Sequence, residues 1–177
     1  MVLTSDLRWK SNTKSICSKT MAKMWLLRRM KVMKLEPIII FDYYIKEIRS
    51  LAEQSVPIWN SGLTQIQISD LEKIQKVSLK IILGDGYKSY DLACEHFKIE
   101  TLSNRRLELC TNYAIKLYKS EKSCDFFIHT NTLVNTRSEK LLVEQNCNTT
   151  RCFNASHSYL TRLVNQNEAR IPEADVY

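Results

Sequence analysis

Residues 57–86, PIWNSGLTQIQISDLEKIQKVSLKIILGDG, decide the fold class. Thr64 and Gln67 have the T-x-x-Q spacing of a capping box, in which a hydroxyl and an amide satisfy orphan N–H groups where a helix starts. Leu71, Ile74, Ser78 and Ile81 then recur at helical spacing, and Val77 and Ile82 widen the stripe. Asp70, Glu72, Lys73, Lys76 and Lys80 fall mostly on the solvent side of it. At the far end Gly84 and Gly86 flank Asp85, where a helix needs a residue that tolerates left-handed dihedrals. Before the cap, Trp59 reads as a large apolar anchor beside the short turn Asn60-Ser61-Gly62. The stretch predicts a helix that packs on other helices.

Similar elements lie on both sides. Pro37 suits a first helical turn, and a helix is expected from there to Leu51, with Ile39, Tyr43, Ile45, Ile48 and Leu51 as core. Upstream, Ser11 or Asn12 can cap a helix running to about Val32. Its apolar face is read as Ile16, Cys17, Met21, Met24, Trp25, Leu27 and Met30. Four of the chain's five methionines (Met21, Met24, Met30, Met33) lie in or beside it, and we read them as adaptable core rather than a binding groove. Trp9 and Trp25 are likewise read as packing residues rather than base-stacking ones. Downstream, a short helix is expected over Ser89–Phe97. A last one, capped by Thr101 or Ser103, is expected to reach about Ser120, with Leu107, Cys110, Ala114 and Leu117 on one face.

The prediction is an all-α bundle of about five helices over residues 11–120. Residues 1–10 read as a short extended remnant. Residues 121–177 read as a long, poorly structured C-terminal tail, with Ser158–Val164 the one short helix or strand in it. Only three glycines and three prolines occur among 177 residues, too few for the many tight turns of a β-sandwich or barrel.

Net charge is +7, and its placement narrows the function classes. Residues 1–50 hold eleven Lys/Arg against four Asp/Glu, whereas residues 51–177 hold fifteen of each sign. A basic excess confined to one segment fits contact with phosphates or an acidic partner. Aliphatic runs such as Ile38–Ile40 and Ile81–Leu83 fall far short of the roughly 20 residues of a membrane span. No signal-peptide pattern opens the chain. An intracellular protein, cytoplasmic or nuclear, is expected, with no membrane partner. Its six cysteines are then reduced, and the sequons at Asn148 and Asn154 unused.

Site chemistry is sparse. Cys147-x4-Cys152-x4-His157 lacks an evident fourth zinc ligand, and Cys94-x-His96 with Cys110 is another incomplete set. The histidines His96, His129 and His157 lie in no nucleophile motif. Gly84-Asp85-Gly86 ends a helix and has no P-loop lysine. There is neither an Asp-Asp nor an Asp-x-Asp, so Asp42, Asp70 and Asp91 read as caps or surface groups. No catalytic residue, metal or cofactor is assigned.

The order of several short motifs resembles a known family. Leu7–Trp9 is an L-x-W, Leu26–Arg29 a Leu-Arg-Arg stretch after a basic helix, Pro57–Trp59 a P-x-W turn, and Leu71–Lys76 an L-E-x-I-Q-K helix; LSNRRLELC follows at Leu102–Cys110. Over residues 5–120, and more weakly from Thr136-Arg137-Ser138-Glu139-Lys140 through Arg151–Leu163, this resembles the region after the catalytic palm of jockey-like non-long-terminal-repeat retrotransposon reverse transcriptases. The resemblance implies thumb-like helices that grip a primer–template duplex, RNA–DNA or DNA, through its backbone without sequence specificity. It also implies a fragment of an RNA-directed DNA polymerase that is no enzyme as it stands. The palm's Tyr/Phe-x-Asp-Asp turn, which holds two magnesium ions, has no match here, and neither has the endonuclease. The first helix is the most cationic element, so Lys14, Lys23, Arg28, Arg29 and Lys31 are the candidate phosphate contacts. The alternatives are a helical module that binds a protein or itself through an exposed Met/Leu face, and a retroelement relic without function.

Overall fold

The capping box at Thr64 forms. Thr64 Oγ1 accepts from the Gln67 N–H at 3.4 Å, and Gln67 Oε1 accepts from the Thr64 N–H at 2.7 Å. A computed structural model describes residues 2, 9–120, 126–128, 141–167, 170 and 171 of the chain. Every described element of regular structure is helical, as the sequence predicts, and no strand occurs among the described residues. In order they are α1 (Lys10–Val32), α2 (Pro37–Tyr43), a π-helical turn (Tyr44–Arg49), α3 (Ser50–Glu53), α4 (Val56–Trp59), a 3-10 turn (Asn60–Gly62) and α5 (Gln65–Leu83). There follow a second 3-10 turn (Gly84–Gly86), α6 (Tyr90–His96), α7 (Leu102–Tyr118), α8 (Thr150–Phe153) and α9 (Ser156–Gln166). The chain divides into two compact units: residues 1–56 with 63–106, and residues 57–62 with 107–177.

The first unit is built on α5, which packs most extensively against α1 and also against α2 and α6. Its buried stripe is Leu71, Ile74, Gln75, Ser78, Leu79 and Ile82. Val77, expected to widen the stripe, and Ile81, expected on it, are half-buried at its edge. The polar members are satisfied. Ser78 Oγ donates back to the Ile74 carbonyl at 2.8 Å, and Gln75 accepts from the Tyr44 hydroxyl at 2.8 Å while donating to the Glu100 carbonyl at 2.8 Å. Buried polar groups with partners avoid the desolvation cost that orphaned ones incur.

The α1 face that turns inward is Asn12, Thr13, Ile16, Thr20, Met24 and Leu27. This corrects the expected face in two ways. Met21 is half exposed and Trp25 is 63% exposed, so neither is core. The helix also begins two to three residues early, at Lys10, with Trp9 in place of the expected Ser11 or Asn12 cap and no side-chain cap. Asn12 sits inside the helix, where its Oδ1 accepts from the Val2 N–H at 3.0 Å.

In the second helical stretch, Pro37 takes the first helical position as expected. The buried residues are Ile40, Tyr44, Ile48, Ala52 and Val56, and Ile39 is 48% exposed rather than core. The first four recur at strict four-residue spacing within one helical stretch, which ends at Glu53 before extended Gln54 and left-handed Ser55 (φ 56°). On a 3.6-residue turn that repeat drifts by about 40° per step. The wider π turn at Tyr44–Arg49 takes up the drift and keeps the stripe on one side. The short helix expected over Ser89–Phe97 forms as α6, with Ser89 as its cap accepting from the Leu92 N–H at 3.2 Å, and Phe97 stacks on Phe41 at 4.2 Å.

Helix α7 is capped by Thr101, whose Oγ1 accepts from the Asn104 N–H at 3.3 Å. It buries Leu102, Arg106, Cys110, Thr111 and Ala114, while Leu107 is 48% exposed and Leu117 half-buried. The second unit encloses Trp59, the largest fully buried side chain. Helix α9 packs on the Asn60–Gly62 turn and on α8, with Ser156 Oγ donating to the Ile58 carbonyl at 3.1 Å. The short element expected at Ser158–Val164 is therefore a helix, and Leu160, Thr161, Leu163 and Val164 are its buried side. Asn165 holds residue 142 by its backbone, accepting from the Leu142 N–H at 3.0 Å and donating to its carbonyl at 3.1 Å. The 1–10 remnant, apart from Val2, Trp9 and Lys10, lies outside the described residues, as do 121–125, 129–140, 168–169 and 172–177 of the expected tail.

Candidate nucleic-acid interface

Helix α1 carries five lysines (10, 14, 19, 23, 31), two arginines (28, 29) and no acid. A helix so charged repels itself, so it is stable only if its cations stay hydrated or find anions. Its inward face rests on α5 and holds none of the seven.

The five predicted contact residues fall into two groups. Lys23 is paired with Glu47 of the π turn, and that hydrogen bond raises the lysine pKa. Lys31 donates from Nζ to the Ile82 carbonyl at 2.7 Å. Ile82 is in the last turn of α5, so Lys31 satisfies an orphan carbonyl at the negative end of that helix. The Lys31 stem also runs close over Gly84: a Cβ there would meet Lys31 Cε at 3.3 Å. Gly84 has φ +57°, so both its backbone and this close approach call for glycine. Lys23 and Lys31 are thus tied into the first unit.

Lys14, Arg28 and Arg29 are exposed and form no ion pair with any described residue. They lie on one side of α1 with Ser18, Met21, Trp25 and Val32, at positions 14, 18, 21, 25, 28, 29 and 32, all exposed. Lys14 and Arg29 are fifteen residues apart, about 22 Å along the axis. Trp25 stands in the middle, with the Arg29 guanidinium 5.9 Å from its ring centroid. Exposed cations beside an exposed indole offer phosphate neutralisation and a stacking surface together.

Sequence reasoning missed the exposure of Trp25. Thr13 and Thr20 occupy core positions, and polar residues there disguised the phase of the helix. Reading 13, 16, 20, 24 and 27 as the inward set places residue 25 on the opposite side, so the signal was present in the spacing.

The other chemistry-bearing residues serve structure. Glu72 accepts from the Leu102 N–H at 3.0 Å, placing a carboxylate at the start of α7, and also accepts from the Tyr90 hydroxyl. Glu53 pairs with Arg49 at 3.1 Å and with Arg105 at 3.5 Å. Asp42 and Asp70 pair with Lys46 and Lys73 on the surface. His157 Nε2 lies 2.8 Å from the Phe126 carbonyl. Among the described residues, no three His, Cys, Asp or Glu side chains group as a metal site, and no helix is long and apolar enough to cross a membrane. Comparison with family models, with curated proteins and with solved structures finds no match to this chain.

Proposed function

We propose that this chain is a non-catalytic nucleic-acid-binding module derived from the region that follows the palm of a non-long-terminal-repeat reverse transcriptase. In this reading it contacts the backbone of an RNA–DNA or DNA duplex, without sequence preference, through the exposed side of α1. The observation that carries it is the set Lys14, Arg28 and Arg29, exposed and without ion pairs to any described residue, on a helix that has seven cations and no acid. The ordered motifs from Leu7–Trp9 to Leu102–Cys110 support the same origin.

The test is fluorescence anisotropy with a labelled RNA–DNA hybrid at low and at physiological salt. Binding should weaken with salt at a log–log slope of roughly −0.9 per phosphate neutralised. Arg28→Ala with Arg29→Ala should weaken it and flatten the slope by about two, leaving helical circular dichroism unchanged. Lys23→Ala and Lys31→Ala should mainly lower stability, since those side chains are tied to Glu47 and the α5 terminus. Unchanged affinity and slope in the Arg28/Arg29 variant would show that α1 is not the contact.

A second reading rests on exposed apolar side chains near the α1–α2 junction. Trp25, Val32, Met33 and Ile38 are 63%, 73%, 69% and 61% exposed. A module that binds a protein or a second copy through them would show no hybrid binding at low salt, and self-association would appear in light scattering.

A further inference from the structure

Cys147 lies in the segment that leads into α8, and Cys152 in α8 itself. Their sulfurs are 3.0 Å apart, with Cys152 donating to Cys147. Cys147 Sγ is also 3.6 Å from Ser158 Oγ. Position is fixed from both sides: Thr149 Oγ1 accepts from the Cys152 N–H at 3.2 Å, and Arg162, four residues on from Ser158, donates to the Phe153 carbonyl at 2.7 Å. A disulfide has its sulfurs about 2.05 Å apart. The pair is therefore about 1 Å from bonding distance, across residues 148–149, which have no regular structure. Cys94 and Cys110, by contrast, are buried.

We propose that Cys147 and Cys152 are a redox-active dithiol, a modification site at which a small-molecule disulfide such as oxidised glutathione is reduced and the pair is joined. The Cys147 thiolate attacks one sulfur of the small disulfide, forming a mixed disulfide and expelling one small thiolate. Cys152, as its thiolate, then attacks Cys147 Sγ, forming the Cys147–Cys152 bond and expelling the second. Two electrons pass to the small disulfide, and the two protons lost by the cysteines appear on the two released thiols. The order follows from the surroundings, since Cys147 Sγ has Ser158 Oγ at 3.6 Å as a second donor to its anion. In keeping with that, the Cys152 thiol pulls the Cys147 pKa down, and Ser158 and the Arg162 charge act in the same direction. Cys152, as the donor, is pushed up.

The chain supplies its own readout. Trypsin cuts after Lys140, Arg151 and Arg162, so Cys147 and Cys152 fall on separate peptides, 141–151 and 152–162, each with one cysteine. The folded full chain is equilibrated with oxidised and reduced glutathione, alkylated, and digested without reduction. The expected result is a covalently linked pair of these peptides and loss of two of the six alkylatable thiols. Cys152→Ser should instead accumulate a glutathione adduct on peptide 141–151, whereas Cys147→Ser should react far less. Adducts on the wild-type chain without the link would overturn the proposal, as would equal reaction of the two variants. So would a link that forms to the same extent in urea, because the folded geometry would then not be its cause.

Discussion

Trp25 and Trp59 are the same residue type with opposite fates. Trp59 is fully buried in the second unit, while Trp25 is 63% exposed on α1. Residue type states what burial would contribute, and phase decides whether it happens. Trp59→Ala removes the largest buried side chain and should cost about 3–5 kcal/mol of stability. Trp25→Ala should stay within about 0.5 kcal/mol. Urea unfolding followed by circular dichroism measures both, and a Trp25 variant as unstable as the Trp59 one would place Trp25 in the core. The role of Trp59 was legible, because it stands in a turn whose neighbours, Pro57 and Gly62, leave a large apolar side chain little to do but anchor. That of Trp25 was obscured by Thr20, whose hydroxyl donates to the Ile16 and Cys17 carbonyls at 2.9 Å and so sits in the core without an outside partner. Arg106, 1% exposed at a core position of α7, was obscured in the same way, since charge is ordinarily a signal for the surface.

At the scale of elements, both ends of α5 were legible, because a capping box and a left-handed glycine have few other uses. The π turn was not. Its sequence, YIKEIR, holds no residue that demands it, and the wider turn follows from the strict four-residue recurrence of Ile40, Tyr44, Ile48 and Ala52. A π turn is an α-helix with one residue too many for its register. Deleting exposed Lys46 should therefore let the stretch close as an α-helix with inward spacings of four, three and four, which one face of a 3.6-residue turn accepts. The Lys46–Asp42 pair lost with it is exposed and worth no more than about 1 kcal/mol. Deleting exposed Lys73 in α5 has the opposite effect, since it rotates Ile74, Ser78, Leu79 and Ile82 by about 100° relative to Leu71. The expected outcome is a folded, cooperatively melting Lys46 deletion and an unfolded Lys73 deletion. Two equally disrupted variants would mean that the π turn is held for its own sake.

Across the whole molecule, cations outnumber acids by 26 to 19, while Tyr44 is buried and Tyr90 and Tyr159 are half-buried, and the two facts act together at high pH. Tyr44 is fully buried and donates to Gln75, and burial pushes its pKa far above the ordinary value. Burial, and then the hydrogen bond to Glu72, does the same for Tyr90. Burial raises Tyr159 to about 12. Each group has a folded pKa above its unfolded value of about 10. Below about pH 10 both states hold the phenol proton and the contribution to stability is complete. Above it the unfolded chain loses protons that the folded chain keeps, so stability falls as pH rises. The fall should begin near pH 10, with the Tyr159 share lost by about pH 12 and the Tyr44 and Tyr90 shares continuing beyond. For fully buried Tyr44 the limiting slope is about 1.4 kcal/mol per pH unit. The lysines paired with Glu47 and Asp70 also have raised pKa values and add a decline of the same sign, weakened by their exposure. The urea midpoint should therefore hold steady between about pH 7 and 9 and drop by about pH 11. Tyr44→Phe should flatten that drop, because phenylalanine has no proton for the unfolded state to lose. An alkaline limb equally steep in Tyr44→Phe would assign it to Tyr90, Tyr159 and the paired lysines, and its absence from the wild-type chain would mean that these phenols reach water in the folded state.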